Sequence, residues 1–170
     1  MTTSLDDAIA RTAKAFRVDK PKAQVTFRSD SELVENFHSE VRLRGHRVTI
    51  DEPQGIGGTD LGPSPIEMIL AALGSCQEIT YRAFASALGV PLDKVSVSVE
   101  GDIDFRGFFA IDPNARPGFH ALRVAVNLVS PAPAEAIEQL IATVNRHCPV
   151  LDMLSTPVPA QFKTHVSRPD

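Results

Sequence analysis

The chain has 170 residues, 17 Lys and Arg against 21 Asp and Glu for a formal net charge of −4, and 43% hydrophobic residues. That is enough to build one globular domain with a real core. The mildly acidic balance, one Tyr and no Trp supply neither the basic stripe nor the stacking platform that nucleic-acid binding uses. The uncharged run Met68–Gln77 is half of a bilayer span, and Asp6 and Asp7 stand where a signal peptide is basic and then apolar, so a soluble, cytoplasmic protein is expected.

Residues 4–17 read as a helix, with Leu5, Ala8, Ile9, Thr12, Ala13 and Phe16 at one-face spacing and Ser4 as its cap. Alternation of apolar and polar residues places strands near Ala23–Arg28, Glu35–Arg44 and His46–Asp51, with Gly45 at a turn. Pro53–Pro65 holds four glycines and three prolines and reads as a loop. It ends in Ser64-Pro65-Ile66-Glu67, a capping-box pattern that starts a helix running to about Leu88, where Gly89 and Pro91 stop it. Ile69, Leu73, Cys76, Thr80, Ala83 and Ala87 form the expected buried face, and Glu78 and Arg82 an exposed i,i+4 pair.

Val95, Val97 and Val99 alternate with polar residues as a half-buried strand, which Gly101 is expected to bulge before Ile103 and Phe105 continue it. Phe119–Val129 is a second strand, Ala134–His147 a helix with Ile137, Leu140, Ile141, Val144 and Cys148 on one face, Val150–Leu154 a short helical turn, and Val158–Val166 a final strand. The element order is that of an α+β fold, with sheets wrapped around two central helices.

Chemistry concentrates on the two cysteines. The glycine loop lacks the GK[ST] ending of a phosphate cradle, and no Lys or Arg lies between Arg47 and Arg82. Glu100, Asp102 and Asp104 alternate on a strand and lack the glycine and distal Glu of a calcium loop. A metal site from Cys76, His147 and Cys148 requires helix neighbours about 100° apart to converge, and a Cys/His hydrolase requires an orienting Asn or Asp that the sequence does not group with them. Cys76 and Cys148, 72 positions apart on apolar helix faces, are either inert core residues or a working pair within disulfide reach. Cys148 precedes Pro149 and a helical turn, a place where a helix N-terminus depresses a thiol pKa. No such local help reaches Cys76 in mid-helix.

The words GGTDLGPSPIEMILAALGSCQ, with Pro65 opening a helix eleven residues before Cys76, and HCPVLDML around Cys148 resemble the OsmC/Ohr family of osmotically inducible and organic-hydroperoxide-resistance proteins. The resemblance spans about residues 35–166. It leaves residues 1–30 as an N-terminal extension with a helix and 31–170 as a single OsmC-like domain. It implies an intertwined homodimer of α+β subunits and a thiol peroxidase for organic hydroperoxides, recycled by an external dithiol or lipoyl reductant and needing no bound cofactor or metal. By position it makes Cys76 the peroxidatic and Cys148 the resolving cysteine.

The family also uses an Arg to stabilise the thiolate and a Glu directly after the proline to hold that Arg. Here Ile66 occupies the Glu position and Glu67 comes one residue later. Arg44 and Arg42, taken to share one strand side, are the expected activating cations, with Arg47 as fallback. The alternative is a stress-related or small-molecule-binding protein on the same fold with weak or no peroxidase activity. An acyl or thioester hydrolase is the remaining reading.

Overall fold

A computed structural model describes residues 4–168. Helix α1 (Leu5–Val18) is capped by the Ser4 hydroxyl, which accepts from the Asp7 N–H at 3.1 Å, and Asp6 and Asp7 complement the positive end of its dipole. It packs on α2 (Pro65–Leu88), where the Ser86 hydroxyl donates to the Asp6 carboxylate.

A 3-10 turn over Lys20–Ala23 follows, opened by Pro21, and residues 24–29 form no strand. The strand expected at Ala23–Arg28 is therefore absent. Val25 and Phe27 alternate correctly but are 66% and 85% exposed, and alternation makes a strand only where another strand pairs with it. The first sheet instead comprises β1 (Asp30–Glu35), β2 (His38–Leu43) and β3 (His46–Ile50), antiparallel in that order. Its two tight turns each hold a residue in the left-handed region, Asn36 (φ 50°) and Arg44 (φ 58°). The first of these divides the stretch expected as one strand from Glu35 to Arg44.

The loop after β3 is tied down by Asp51, which is 1% exposed. Its carboxylate accepts from the Glu52, Thr59 and Leu61 N–H groups and from the Thr59 hydroxyl. The chain closes so tightly that a Cβ on Gly58 would stand 1.7 Å from the Glu52 carbonyl oxygen, and one on Gly62 2.3 Å from that of Thr49. The loop's amides are spent on Asp51 and on its own carbonyls, so it is a folded connection and not a phosphate cradle.

Helix α2 begins as the sequence pattern requires: Ser64 accepts from the Glu67 N–H, Glu67 accepts in return from the Ser64 N–H, and Pro65 opens the first turn. Gly89 ends it in the left-handed conformation. The buried face is rotated from the expected one and consists of Leu73, Gly74, Gln77, Thr80, Tyr81 and Ala85, whereas Ile69 is 41% and Ile79 70% exposed. Apolar residues surround this helix, so periodicity alone does not choose the face; contact with β4 (Lys94–Asp102) and α4 (Ala134–His147) does. Glu78 and Arg82 do not pair with each other. Glu78 accepts from the Val97 N–H at 3.3 Å, and Arg82 donates to the Leu92 carbonyl at 2.7 Å.

The second sheet is the antiparallel pair of β4 and β5 (Ala121–Val129), in unbroken register from Lys94 opposite Val129 to Asp102 opposite Ala121. Gly101 makes no bulge; it leaves room for the Phe119 ring, which a Cβ there would approach to 2.6 Å. Strand β4 stops at Asp102 instead of continuing through Ile103 and Phe105, because Asp104 caps the single helical turn α3 (Phe105–Phe108) by accepting from the Arg106 N–H. Across the strands Arg123 pairs with Glu100 and Asp102, which accounts for the acidic alternation.

Tyr81, Ala85, Leu92, Leu140 and Val144 form the core, with Phe84, Val95, Val126, Leu128 and Ile141 packed around them. After α4 the chain turns into α5 (Pro149–Ser155). The expected strand Val158–Val166 is not formed: Val158, Phe162 and Val166 are 61%, 92% and 84% exposed and have no strand beside them.

Candidate active site

Helices α2 and α4 cross in the core and bring two sulfurs together. Cys76 lies in the interior of α2, where the i→i−4 ladder consumes its backbone amide, and its carbonyl also accepts from the Thr80 hydroxyl at 2.6 Å. Cys148 is the joint between α4 and α5: its N–H donates to the Val144 carbonyl and its own carbonyl accepts from Asp152. Pro149 fits the first turn of α5, because its missing N–H would have no partner there. The Cys148 thiol donates to the Cys76 sulfur across 3.4 Å, against about 2.05 Å in a disulfide. Both are free thiols. Among the described residues this is the one hydrogen bond at the Cys76 sulfur.

The two sulfurs differ in setting. Cys148 is 1% exposed, and Cys76 is half-buried. Burial pushes the Cys148 thiol above its ordinary pKa, outweighing the Leu151 and Val150 N–H groups at the start of α5, which act to lower it. The helix end anticipated from the sequence is thus in place but does not depress this thiol. A protonated Cys148 is a hydrogen-bond donor, and the Cys76 sulfur is its acceptor.

The remaining expected residues are distributed as follows. Glu67 completes the capping box: the Ser64 N–H and hydroxyl both donate to its carboxylate at 2.7 and 2.9 Å, which holds its pKa down. Ile66 lines a small apolar cavity with Phe105, Phe108 and Phe109, whereas Phe119 packs on Gly101. Arg42 stands 3.9 Å from Glu32 on the polar face of the first sheet, opposite Arg47. The other face, with Leu33, Val41, Leu43, Val48 and Ile50, opens toward Pro65 and Met68 of α2. Arg44, in the β2–β3 turn, does not share a strand side with Arg42. His147 does not join the sulfurs; its ring rests against Phe84 with centroids 5.4 Å apart. Sequence reasoning missed Gln77, which is 2% exposed with Oε1 unpartnered; the signal was present in its four-residue spacing from Leu73 and Tyr81.

Two thiols in contact, carried by two packed helices of an α+β protein with antiparallel sheets, define a dithiol protein. A family model described as OsmC-like protein matches residues 58–163, and the chain belongs to that family. Among solved structures it is similar to an OsmC-like protein from Mycoplasma pneumoniae (TM-score 0.68, 19% identity, covering 79% of this chain and 90% of that one). It is also similar to an organic hydroperoxide resistance protein OsmC from Legionella pneumophila (TM-score 0.56, 20% identity, 76% and 89% covered). A third is an organic hydroperoxide resistance protein from Elizabethkingia anophelis (TM-score 0.59, 17% identity, 79% and 91% covered). At these identities the likeness establishes the fold alone. A search of curated proteins finds no significant match. Among the described residues no helix is long and apolar enough to cross a membrane.

Proposed function

We propose that the protein is a cytoplasmic, homodimeric thiol peroxidase that reduces organic hydroperoxides. The observation that carries this reading is the 3.4 Å separation of a half-buried and a fully buried thiol. Cys76, the more accessible sulfur, attacks the terminal peroxide oxygen as a thiolate. The O–O bond breaks, the leaving alkoxide takes a proton to become the alcohol, and Cys76 becomes a sulfenic acid. Cys148 then attacks that sulfur, the thiol proton and the departing hydroxide leave as water, and the Cys76–Cys148 disulfide forms. An external dithiol or lipoyl group reduces it by thiol–disulfide exchange.

A second copy would support the scheme in two ways: it would cover apolar side chains left open in the single chain, among them Leu33 (66% exposed) and Ile79 (70% exposed), and it would supply an activating cation, since among the described residues only Cys148 hydrogen-bonds the Cys76 sulfur. Treating the reduced protein with cumene hydroperoxide is expected to consume about one peroxide per subunit and leave a Cys76–Cys148 disulfide in the mass spectrum, with light scattering giving twice the chain mass. Survival of both thiols at equal dose would instead favour the binding-protein reading, which the engagement of Glu67 in the helix cap recommends.

Replacing Arg42, Arg44 and Arg47 singly by Gln is expected to slow peroxide consumption about tenfold or more at one position, because an adjacent cation stabilises a thiolate on that scale. Rapid-mixing rates check this, and three unchanged rates would refute cationic activation from the first sheet.

A further inference from the structure

The acidic balance of the whole chain conceals a segregation of charge. Residues 11–28 hold six basic residues, Arg11, Lys14, Arg17, Lys20, Lys22 and Arg28, against Asp19 alone. That stretch carries +5 and leaves −9 on the rest of a chain whose total is −4. It lies before residues 58–163, where the family model matches, so family membership assigns it nothing. All six basic residues are exposed. Lys22 pairs with Asp19 at 3.0 Å and Arg28 with Asp30 at 2.6 Å. Among the described residues, Arg11, Lys14, Arg17 and Lys20 form no ion pair. At about 100° per residue, Arg11, Lys14 and Arg17 share one arc of roughly 120° on α1. Leu5 and Ile9 occupy the opposite side, beside Ile79 and Ala83 of α2, so packing α1 on α2 turns the three cations outward. Apolar side chains stand among the charges: Val18 is 81% exposed, and Val25 and Phe27 project from the unpaired run that follows.

An exposed helix face is convex and offers no pocket for a single small anion. Free cations beside exposed apolar side chains suit instead a broad anionic surface with hydrocarbon beneath it, which is the make-up of an anionic lipid leaflet. Nucleic-acid phosphates would meet the charge but leave Val18 and Val25 in water. We propose that residues 11–28 dock the protein peripherally on membranes rich in anionic lipid, with Arg11, Lys14, Arg17 and Lys20 against the headgroups and Val25 and Phe27 inserted between them. Each basic residue at such a surface strengthens attachment about fivefold, over a range of about 8 Å at physiological salt. The −9 on the rest of the chain is repelled by the same leaflet, so the protein lands on this strip first. The proposal stands on charge and exposure alone and is independent of the chemistry of the dithiol.

Sedimentation of the full chain with vesicles of phosphatidylcholine containing about one third phosphatidylserine, and with vesicles of phosphatidylcholine alone, tests this. At about 0.1 M salt the protein is expected to partition at least tenfold more strongly onto the anionic vesicles, and to leave them as salt is raised to about 0.5 M. Changing Arg11, Lys14, Arg17 and Lys20 together to Gln is expected to weaken attachment about a hundredfold or more, the product of four such contributions. Phe27→Ser is expected to weaken it several-fold at unchanged charge. These side chains are exposed, so circular dichroism should show the fold retained. Equal partition onto both vesicles, attachment indifferent to salt, or full attachment by the fourfold Gln variant would overturn the proposal. The salt titration of the unaltered protein decides the matter even if that variant does not fold. Binding to duplex DNA or to polyglutamate with none to the anionic vesicles would give the strip to another partner and overturn it equally.

Discussion

Replacing Cys76 by serine is expected to abolish hydroperoxide consumption, by roughly three orders of magnitude or more as for other enzymes stripped of their nucleophile. Cys148→Ser is expected to stop the cycle after one turn. The asymmetry follows from the settings of the two sulfurs. Cys76 is the accessible one and accepts the hydrogen bond from the other thiol, which makes it the attacking sulfur of the proposed scheme. Cys148 is 1% exposed, with its pKa raised by burial, and is a poor first nucleophile. It sits so close that it attacks a Cys76 sulfenic acid as soon as one forms. In Cys148→Ser that intermediate has no resolving thiol and is trapped by dimedone, which mass spectrometry locates on Cys76. A dimedone adduct on Cys148 in the Cys76→Ser protein, with turnover retained, would reverse the roles.

The parts of this site that were legible in the sequence are those governed by local rules. The Ser64–Glu67 capping box and Pro65 fix the start of α2, and so the height of Cys76, without reference to the rest of the chain. Cys148 lies on the Leu140–Val144 stripe of α4, whose polar opposite face leaves one way to pack. Long-range competition decided the rest. Helix α2 is apolar on several sides, so the sheet and α4 choose which side is buried, and Gln77 goes inside where Ile79 stays out. The Cys148 thiol feels two opposing influences, the N-terminus of α5 and desolvation, and only the packed structure says that desolvation is the larger. The segments 23–28 and 158–166 alternate like strands yet stay unpaired, since pairing depends on a neighbour and not on the segment itself.

Asp51 is the residue outside the dithiol whose loss is expected to do most harm. Three backbone N–H groups and one hydroxyl converge on its buried carboxylate, and together with the Asp51 N–H to Pro63 carbonyl bond they set where the loop delivers Pro65 to α2. Asp51→Ala leaves those donors unpaired inside the loop, and the expected drop in Tm is on the order of 10 °C for a domain of this size, followed by circular dichroism. The Thr59 hydroxyl first, and then the Glu52, Leu61 and Thr59 amides, hold the Asp51 carboxyl at about 2 against the ordinary 3.8, burial opposing them. A carboxyl whose folded pKa is depressed contributes its stability above the unfolded value and loses it as pH falls toward the folded one. Asp51 therefore contributes in full above about pH 4 and progressively less down to about pH 2. Urea midpoints for the unaltered protein and for Asp51→Asn should converge through that window as the pH is lowered. Parallel curves across it would show that the carboxylate charge does not hold the loop, and that the shape of the chain around Gly58 and Gly62 is sufficient.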